Sequence, residues 1–174
     1  MSTPRSPHSH SSPLHLEQQR KLAKELLRAA RAGSAEALAR LRAVRTDAGG
    51  PARELKLADA QLVLARDAGF PSWPKLVAGL EERDLAAFRD AVGRRDVPQV
   101  ARLLVEPHVR ARVNDPMFDF GQRAAHIAAN DPKLVALLLD AGADPNLKSD
   151  WQNGPYTVLD RADESSARFL LARG

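Results

Sequence analysis

The chain contains no cysteine among its 174 residues, which excludes a disulfide framework, thiolate metal sites and a cysteine nucleophile. Aromatic residues are scarce, 5% against 44% apolar overall, so any core has to be built from Leu, Ala and Val. That palette favours helices, because Ala and Leu lose little on entering one while strands prefer β-branched and aromatic residues. No stretch approaches the roughly 20 apolar residues of a membrane span. Residues 1–13 also lack the apolar centre of a secretion signal, so the expected location is the cytoplasm. Phosphate-cradling GxxxxGK and GxGxxG loops are missing, Gly49 and Gly50 forming only a turn pair, and there is no HExxH helix.

What charge there is lies unevenly. The formal net charge is +4; residues 1–82 carry 13 Lys and Arg against 9 Asp and Glu, whereas residues 83–174 carry 13 of each. The basic excess therefore belongs to the N-terminal half, where acidic residues dilute it, and it lacks the density of a strong nucleic-acid footprint.

Residues 1–15 are rich in Ser, Pro and His and read as a tail without fixed structure. Leu22, Leu26, Leu27 and Ala30 then recur at helical spacing, Gly33 closes that helix, and Ser34 caps a second one carrying Leu38, Leu41 and Val44. Thr46–Pro51 reads as a loop. A third helix is expected over Asp59–Asp67, with Leu62, Val63 and Ala65 as candidates for burial and a poor N-cap at Ala58; Gly69 ends it. Ser72 caps a fourth, with Pro74 in its first turn and Leu76, Val77 and Leu80 on its apolar face. Four short helices suggest two antiparallel pairs with Phe70 and Trp73 wedged between them. Further helix pairs follow from Leu85, and Leu104, Leu139 and Leu171 stand 35 and 32 positions apart, spacings that bracket a 33-residue repeat period.

Residues 121–146, GQRAAHIAANDPKLVALLLDAGADPN, resemble an ankyrin repeat. Gly121 matches the glycine before the first helix, His126 the histidine of the TPLH signature, Leu137 to Leu139 the second-helix core, and Gly142, Ala143, Asp144 and Asn146 the terminal turn. FRDAVGRRDVPQVARLL at 88–104 looks like the repeat before it. Gly154 to Gly174 looks like the repeat after it, with Asp160 in the histidine position. Arg123 and Ala124 replace the Thr-Pro of the signature, and the connection between Ala129 and Leu134 is short. The string KLADAQLVLARDAGFPSWPKL at 56–76 is similar to a helical module that often precedes ankyrin repeats in bacterial proteins.

The resemblance implies an all-α, ankyrin-type helical solenoid. Residues 1–15 would be its tail, 16–82 a four-helix N-terminal capping module, and 83–174 about three divergent repeats at 84–119, 120–150 and 151–174. It implies a non-enzymatic protein–protein interaction module without cofactor, metal, small-molecule substrate or membrane, whose partner is a protein or peptide. One helix pair cannot bury its apolar face alone, so stacking is a physical requirement of this reading.

Candidate contact residues sit in the expected turns and at the first-helix starts: Phe118, Arg123, Lys148, Asp150 and Trp151. Trp151 admits two readings, an exposed anchor in a projecting turn or local packing over Tyr156 or the preceding turn. The segment Pro107–Phe120 likewise reads either as a contact loop, with Arg110, Arg112, Met117 and Phe118, or as a solvated loop pinned from beneath by Phe118. Arg123 is a cation at a helix start, where the dipole disfavours it, so a nearby acidic group or a partner is expected. His126, Gly142, Asn146, Asp160 and Trp73 are read as structural. His8, His10 and His15 lack the carboxylates or rigid backbone of a metal site. Ser165, Ser166 and Thr157 have no evident base. The alternative is nucleic-acid binding through Arg28, Arg31, Arg40, Arg42 and Arg45, which requires an arginine face unbroken by carboxylates.

Overall fold

A computed structural model describes residues 15–44 and 54–173. The expected tail and the Thr46–Pro51 loop lie outside the described residues, apart from His15. Nine α-helices and two 3-10 turns account for the regular structure among the described residues, with one isolated bridge between Phe118 and Gln122 and no sheet. No helix among them is long and apolar enough to cross a membrane. The chain divides into two compact units at Leu80–Glu81.

In the first unit, α1 (Leu16–Arg31) packs against α2 (Ala35–Ala43) and α3 (Leu57–Asp67). The buried stripe of α1 is Leu16, Gln19, Ala23, Leu26, Leu27 and Ala30. Leu22, expected inside, is 38% exposed; each helical residue rotates by about 100°, and Ala23 takes the inward position. Gly33 turns the chain with φ +91°, a left-handed conformation that glycine adopts without steric penalty. Ser34 Oγ then accepts from Ala37 N–H at 3.4 Å. Helix α3 begins two residues earlier than expected because the Asp59 carboxylate, at its third position, accepts from Lys56 N–H at 2.8 Å. Its buried set is Ala60, Val63, Leu64 and Ala65, with Leu62 only half-buried. Trp73 is half-buried and packs on both apolar clusters of this unit. Phe70 lies so close to Gly79 that a Cβ there would meet its ring at 2.7 Å.

The fourth helix is not short. Helix α4 runs from Trp73 to Gly93, 21 residues, because no Gly or Pro interrupts the span between Leu80 and Leu85. The composition boundary at 82/83 therefore falls inside a continuous helix. In the second unit, Leu85, Phe88, Ala91 and Val92 of α4 join one core with α5 (Val97–Leu103), α6 (Pro107–Arg110), α7 (Ala124–Ala128), α8 (Pro132–Asp140) and α9 (Glu164–Ala172). Helix α8 packs against α5, α7 and α9, and Leu134, Val135 and Leu138 are fully buried. Asp131 starts α8 by accepting from Lys133 and Leu134 N–H at 3.1 and 3.0 Å, with Pro132 in the first turn. Asp163 starts α9 through Ser166 N–H at 2.8 Å. Before α9 there is no first helix, only a 3-10 turn over Leu159–Arg161.

Polar cross-links tie successive segments of this unit. Arg110 donates to Asp140 O, 30 residues on, and Asp144 N–H to Asn114 Oδ1, again 30 apart. Asp163 N–H reaches Asn130 Oδ1 across 33 residues, and Arg173 reaches Asp140 across 33. Arg123 to Lys148 O and Asn114 to Gly142 O add links across 25 and 28 residues. Replacing the fully buried Phe88 by Ala is expected to destabilise the chain by about 3–5 kcal/mol, whereas Leu22→Ala should cost under about 0.5 kcal/mol. Chemical unfolding midpoints measure both, and equal costs would contradict the burial pattern.

Candidate functional site

The contact residues expected from the sequence fall on two loops of the second unit, residues 111–123 and 145–158. The first is anchored by Val113, which is buried, and by Met117 and Phe118, which are half-buried against the core. Phe118 therefore pins the loop from beneath and is not at its tip. Phe118 N–H donates to Gln122 O at 3.1 Å, closing a tight turn whose 3-10 segment is Asp119–Gly121. Within that turn Phe120 has φ +59° and stands 59% exposed. Sequence reasoning missed Phe120; in an extended chain it would share one face with Phe118, two positions before it, and only the left-handed turn at Phe120 and Gly121 separates the two rings.

The second loop is closed by Ser149, whose N–H donates to Tyr156 O at 2.8 Å and whose Oγ accepts from Tyr156 N–H at 3.2 Å. The two loops are joined through backbone: Asp150 N–H donates to Phe120 O at 2.9 Å. Gly121, with φ +65°, is required at this junction, since a Cβ there would lie 2.1 Å from Asp150 Oδ2. Trp151 packs locally and also stays partly open to water. Its ring lies 4.5 Å from that of Phe120 and 6.5 Å from that of Tyr156, yet it remains 37% exposed. Arg161 sits over the Tyr156 ring at 5.3 Å.

Of the acidic group or partner expected beside Arg123, the structure shows no acidic hydrogen-bond partner among the described residues and supplies backbone carbonyls. Its guanidinium donates to Asn114 O at 2.9 Å, to Gly121 O at 3.1 Å and to Lys148 O, so one side chain braces both loops. Lys148 and Asp150 are exposed. His126 is buried beneath the loops; Nδ1 accepts from Arg123 N–H at 3.2 Å, which leaves Nε2 to carry the proton and donate to Tyr156 O at 3.1 Å. Burial holds this imidazole below its ordinary range, the charges of Arg123 and Arg161 adding to the effect while the bond to Tyr156 O opposes it. Asp160 accepts from Thr157 N–H at 2.7 Å and Thr157 Oγ1–H at 2.9 Å, and those donors hold its carboxyl below the usual range. Gly142, with φ +99°, presents its carbonyl to Asn114 Nδ2 at 2.9 Å. Asn146 N–H closes onto Asp144 Oδ1 at 2.8 Å.

Other candidate chemistry is quickly placed. His8 and His10 lie outside the described residues, and among the described residues no group of three or more His, Asp and Glu side chains is arranged to hold a metal ion. Ser166 is fully buried and Thr157 Oγ1 is bound to Asp160. In the first unit the arginine face is broken by acids. Arg40 pairs with Asp67 at 2.6 Å and Arg31 lies 3.6 Å from Glu54; Arg28 and Arg42 are exposed, and Arg45 lies outside the described residues.

Residues 120–150 match the ankyrin repeat. That span opens on the Phe120 turn, contains α7 and α8, and ends at Asp150. The chain is also 40% identical over 70 residues to a Mus musculus protein named tRNA endonuclease ANKZF1, a match that covers 39% of this chain and 9% of that protein. The chain thus spans less than a tenth of the curated relative it matches. No solved structure matches it. The comparisons and the structure together give a chain that is all-α and multi-helix over its described residues, with an ankyrin-repeat-like region at residues 120–150.

Because His126 is held neutral, the unfolded chain takes up a proton near pH 6.5 that the folded chain resists. The His126 contribution is therefore constant above that pH and is lost as pH falls below it. The urea midpoint is expected to drop between pH 7.5 and 5.5, and the drop should shrink in His126→Gln despite its lower overall stability. An identical drop in the variant would exclude His126 as its source.

Proposed function

We propose that the chain is a non-catalytic interaction module of ankyrin type that holds a protein or extended peptide against the two joined loops of its second unit. In this reading residues 84–119, 120–150 and 151–174 are three divergent repeats. Residues 16–82 are a helical capping module, and residues 1–15 are a tail. Support comes from the family match at 120–150 and from polar cross-links recurring at separations of 30 and 33 residues.

The observation that carries the proposal is the pairing of Phe120 with Trp151 at 4.5 Å, both partly open to water, on loops whose backbones are hydrogen-bonded to one another. Large aromatic side chains are the usual energetic centres of protein interfaces, and loops held this rigidly lose little entropy on binding. Lys148 and Asp150 lie at the rim. Arg123 serves the site by holding the loops, and Phe118 by pinning the first of them. Nucleic-acid binding through α1 and α2 ranks below this reading, because Asp67 and Glu54 interrupt the arginine face. The mouse relative is a tRNA endonuclease by name; a match to 9% of its length is proposed to reflect a shared interaction module, and no nuclease chemistry is carried across.

Selecting random twelve-residue peptides by display on the immobilised chain, and mapping the binders by NMR shift perturbation, tests the proposal. Binders should perturb residues 118–123 and 148–156. The double variant F120A/W151A should lose about 30-fold in affinity, the equivalent of about 2 kcal/mol at a hot spot. Binders that map elsewhere, or an unchanged affinity in the double variant, would remove the assignment of this surface.

A further inference from the structure

Phe120 is disfavoured in the free chain on two grounds. Its φ of +59° belongs to the left-handed region that Gly or Asn enters at lower cost than a bulky side chain. Its ring is also 59% exposed, so burial returns little. The compensating contact is Trp151, itself 37% exposed. A turn of this shape needs no phenyl ring, and backbone strain of this kind clusters at ligand-binding and switch sites.

The surface beside this pair is polarised. From Phe120 the rings continue through Trp151 to Tyr156, and the Arg161 guanidinium lies over the last of them. Arg161 and Lys148 form no ion pair among the described residues. The nearest carboxylate in sequence, Asp160, accepts from Thr157 N–H and hydroxyl, neutral donors that leave its charge in place, and the exposed Lys148 lies within electrostatic reach of it. At the other end Asp119 and Asp150, both exposed, immediately precede Phe120 and Trp151 in the chain. Two carboxylates beside the exposed rings disfavour a polyanion lying along the whole strip, as nucleic acid would, while two cations against the one Asp160 carboxylate leave a positive charge in excess that favours a single negative group at the far end.

Resting on the interaction reading above, we propose that this strip recognises an extended peptide bearing an apolar side chain for the Phe120–Trp151 pair and, a few residues away, a carboxylate for Arg161 and Lys148. The spacing follows from the contacts. An extended chain advances about 3.3 Å per residue, so roughly four to five residues cover steps of 4.5, 6.5 and 5.3 Å laid end to end. Phe120 is the anchor, and the two cations set the specificity.

The test is an array of N-acetylated, C-amidated hexapeptides with each apolar residue at one position. Asp, Glu, Asn or Gln is placed four or five residues away in either chain direction. The full-length chain is the probe, and anisotropy of labelled hits gives affinities. Acidic peptides should bind at least tenfold more tightly than their amide counterparts, and the double variant K148Q/R161Q should erase that ratio while still binding the amide forms. Phe120→Asn should weaken both classes at least tenfold with an unfolding midpoint equal to or above that of the parent. Equal binding of acid and amide peptides, still dependent on Phe120, overturns the acidic specificity and leaves the interaction reading standing. Absence of any Phe120-dependent peptide overturns both. A twelve-nucleotide oligothymidylate that binds in a Phe120-dependent manner more tightly than every peptide overturns the peptide assignment in favour of single-stranded nucleic acid.

Discussion

Leu134, Val135 and Leu138 leave no surface to water, a result that the nine residues of α8 cannot reach alone. Helix α5 covers one part of them, α9 another, and α7 a third. Each of those helices is itself nine residues or shorter and would be marginal in isolation. Stability in the second unit is therefore shared, since every short helix is held by the apolar face of its neighbour and none by its own propensity. The arrangement explains why the helix starts are so well marked. Asp96, Asp131 and Asp163 each accept backbone N–H groups at a first turn, compensating for the small number of internal hydrogen bonds that such short helices make.

With the helices committed to one another, the loops between them carry what remains for recognition. They are not loose. Arg123 binds carbonyls from both loops, His126 bridges the start of α7 to Tyr156, and Asp150 N–H meets Phe120 O. The buried neutral imidazole suits this place because its two nitrogens satisfy one donor and one acceptor at once. A lysine or carboxylate there would bring a charge into a site that burial disfavours. Rigidity of this kind lets the exposed Phe120 and Trp151 rings hold a fixed mutual position without a core around them.

The helical nature of the chain, several of its caps and the central repeat were legible in the sequence, for physical reasons that operate locally. Ser34 and Gly33 act within a single turn, and the spacing of Leu26, Leu27 and Ala30 depends only on helical geometry. Other features were not legible. Leu22 looked as apolar as its neighbours, and only the direction in which α1 meets α2 and α3 turns it outward. The length of α4 is not legible, because the apolar pattern ending at Leu80 and the one beginning at Leu85 read as separate helices, although no Gly or Pro at residues 81–84 stops a helix. Phe118 and Phe120 carry the same ring two positions apart; which of them is buried depends on the turn at Gly121, and that turn depends on Asp150, 29 positions further along the chain.

Taken alone, the sequence determined those properties that a few adjacent residues can enforce: helix against strand, where helices begin, which glycines can turn left-handed, and the match of residues 120–150 to a repeat. Tertiary structure decided which face of each helix is inside, that Arg123 serves backbone carbonyls in place of a carboxylate, and that Phe120 rather than Phe118 stands beside Trp151. The difference is one of range. Local rules are written in backbone geometry and apply wherever the residues occur, whereas exposure and partnership are settled by atoms roughly thirty positions away, the spacing at which repeat units of this type return.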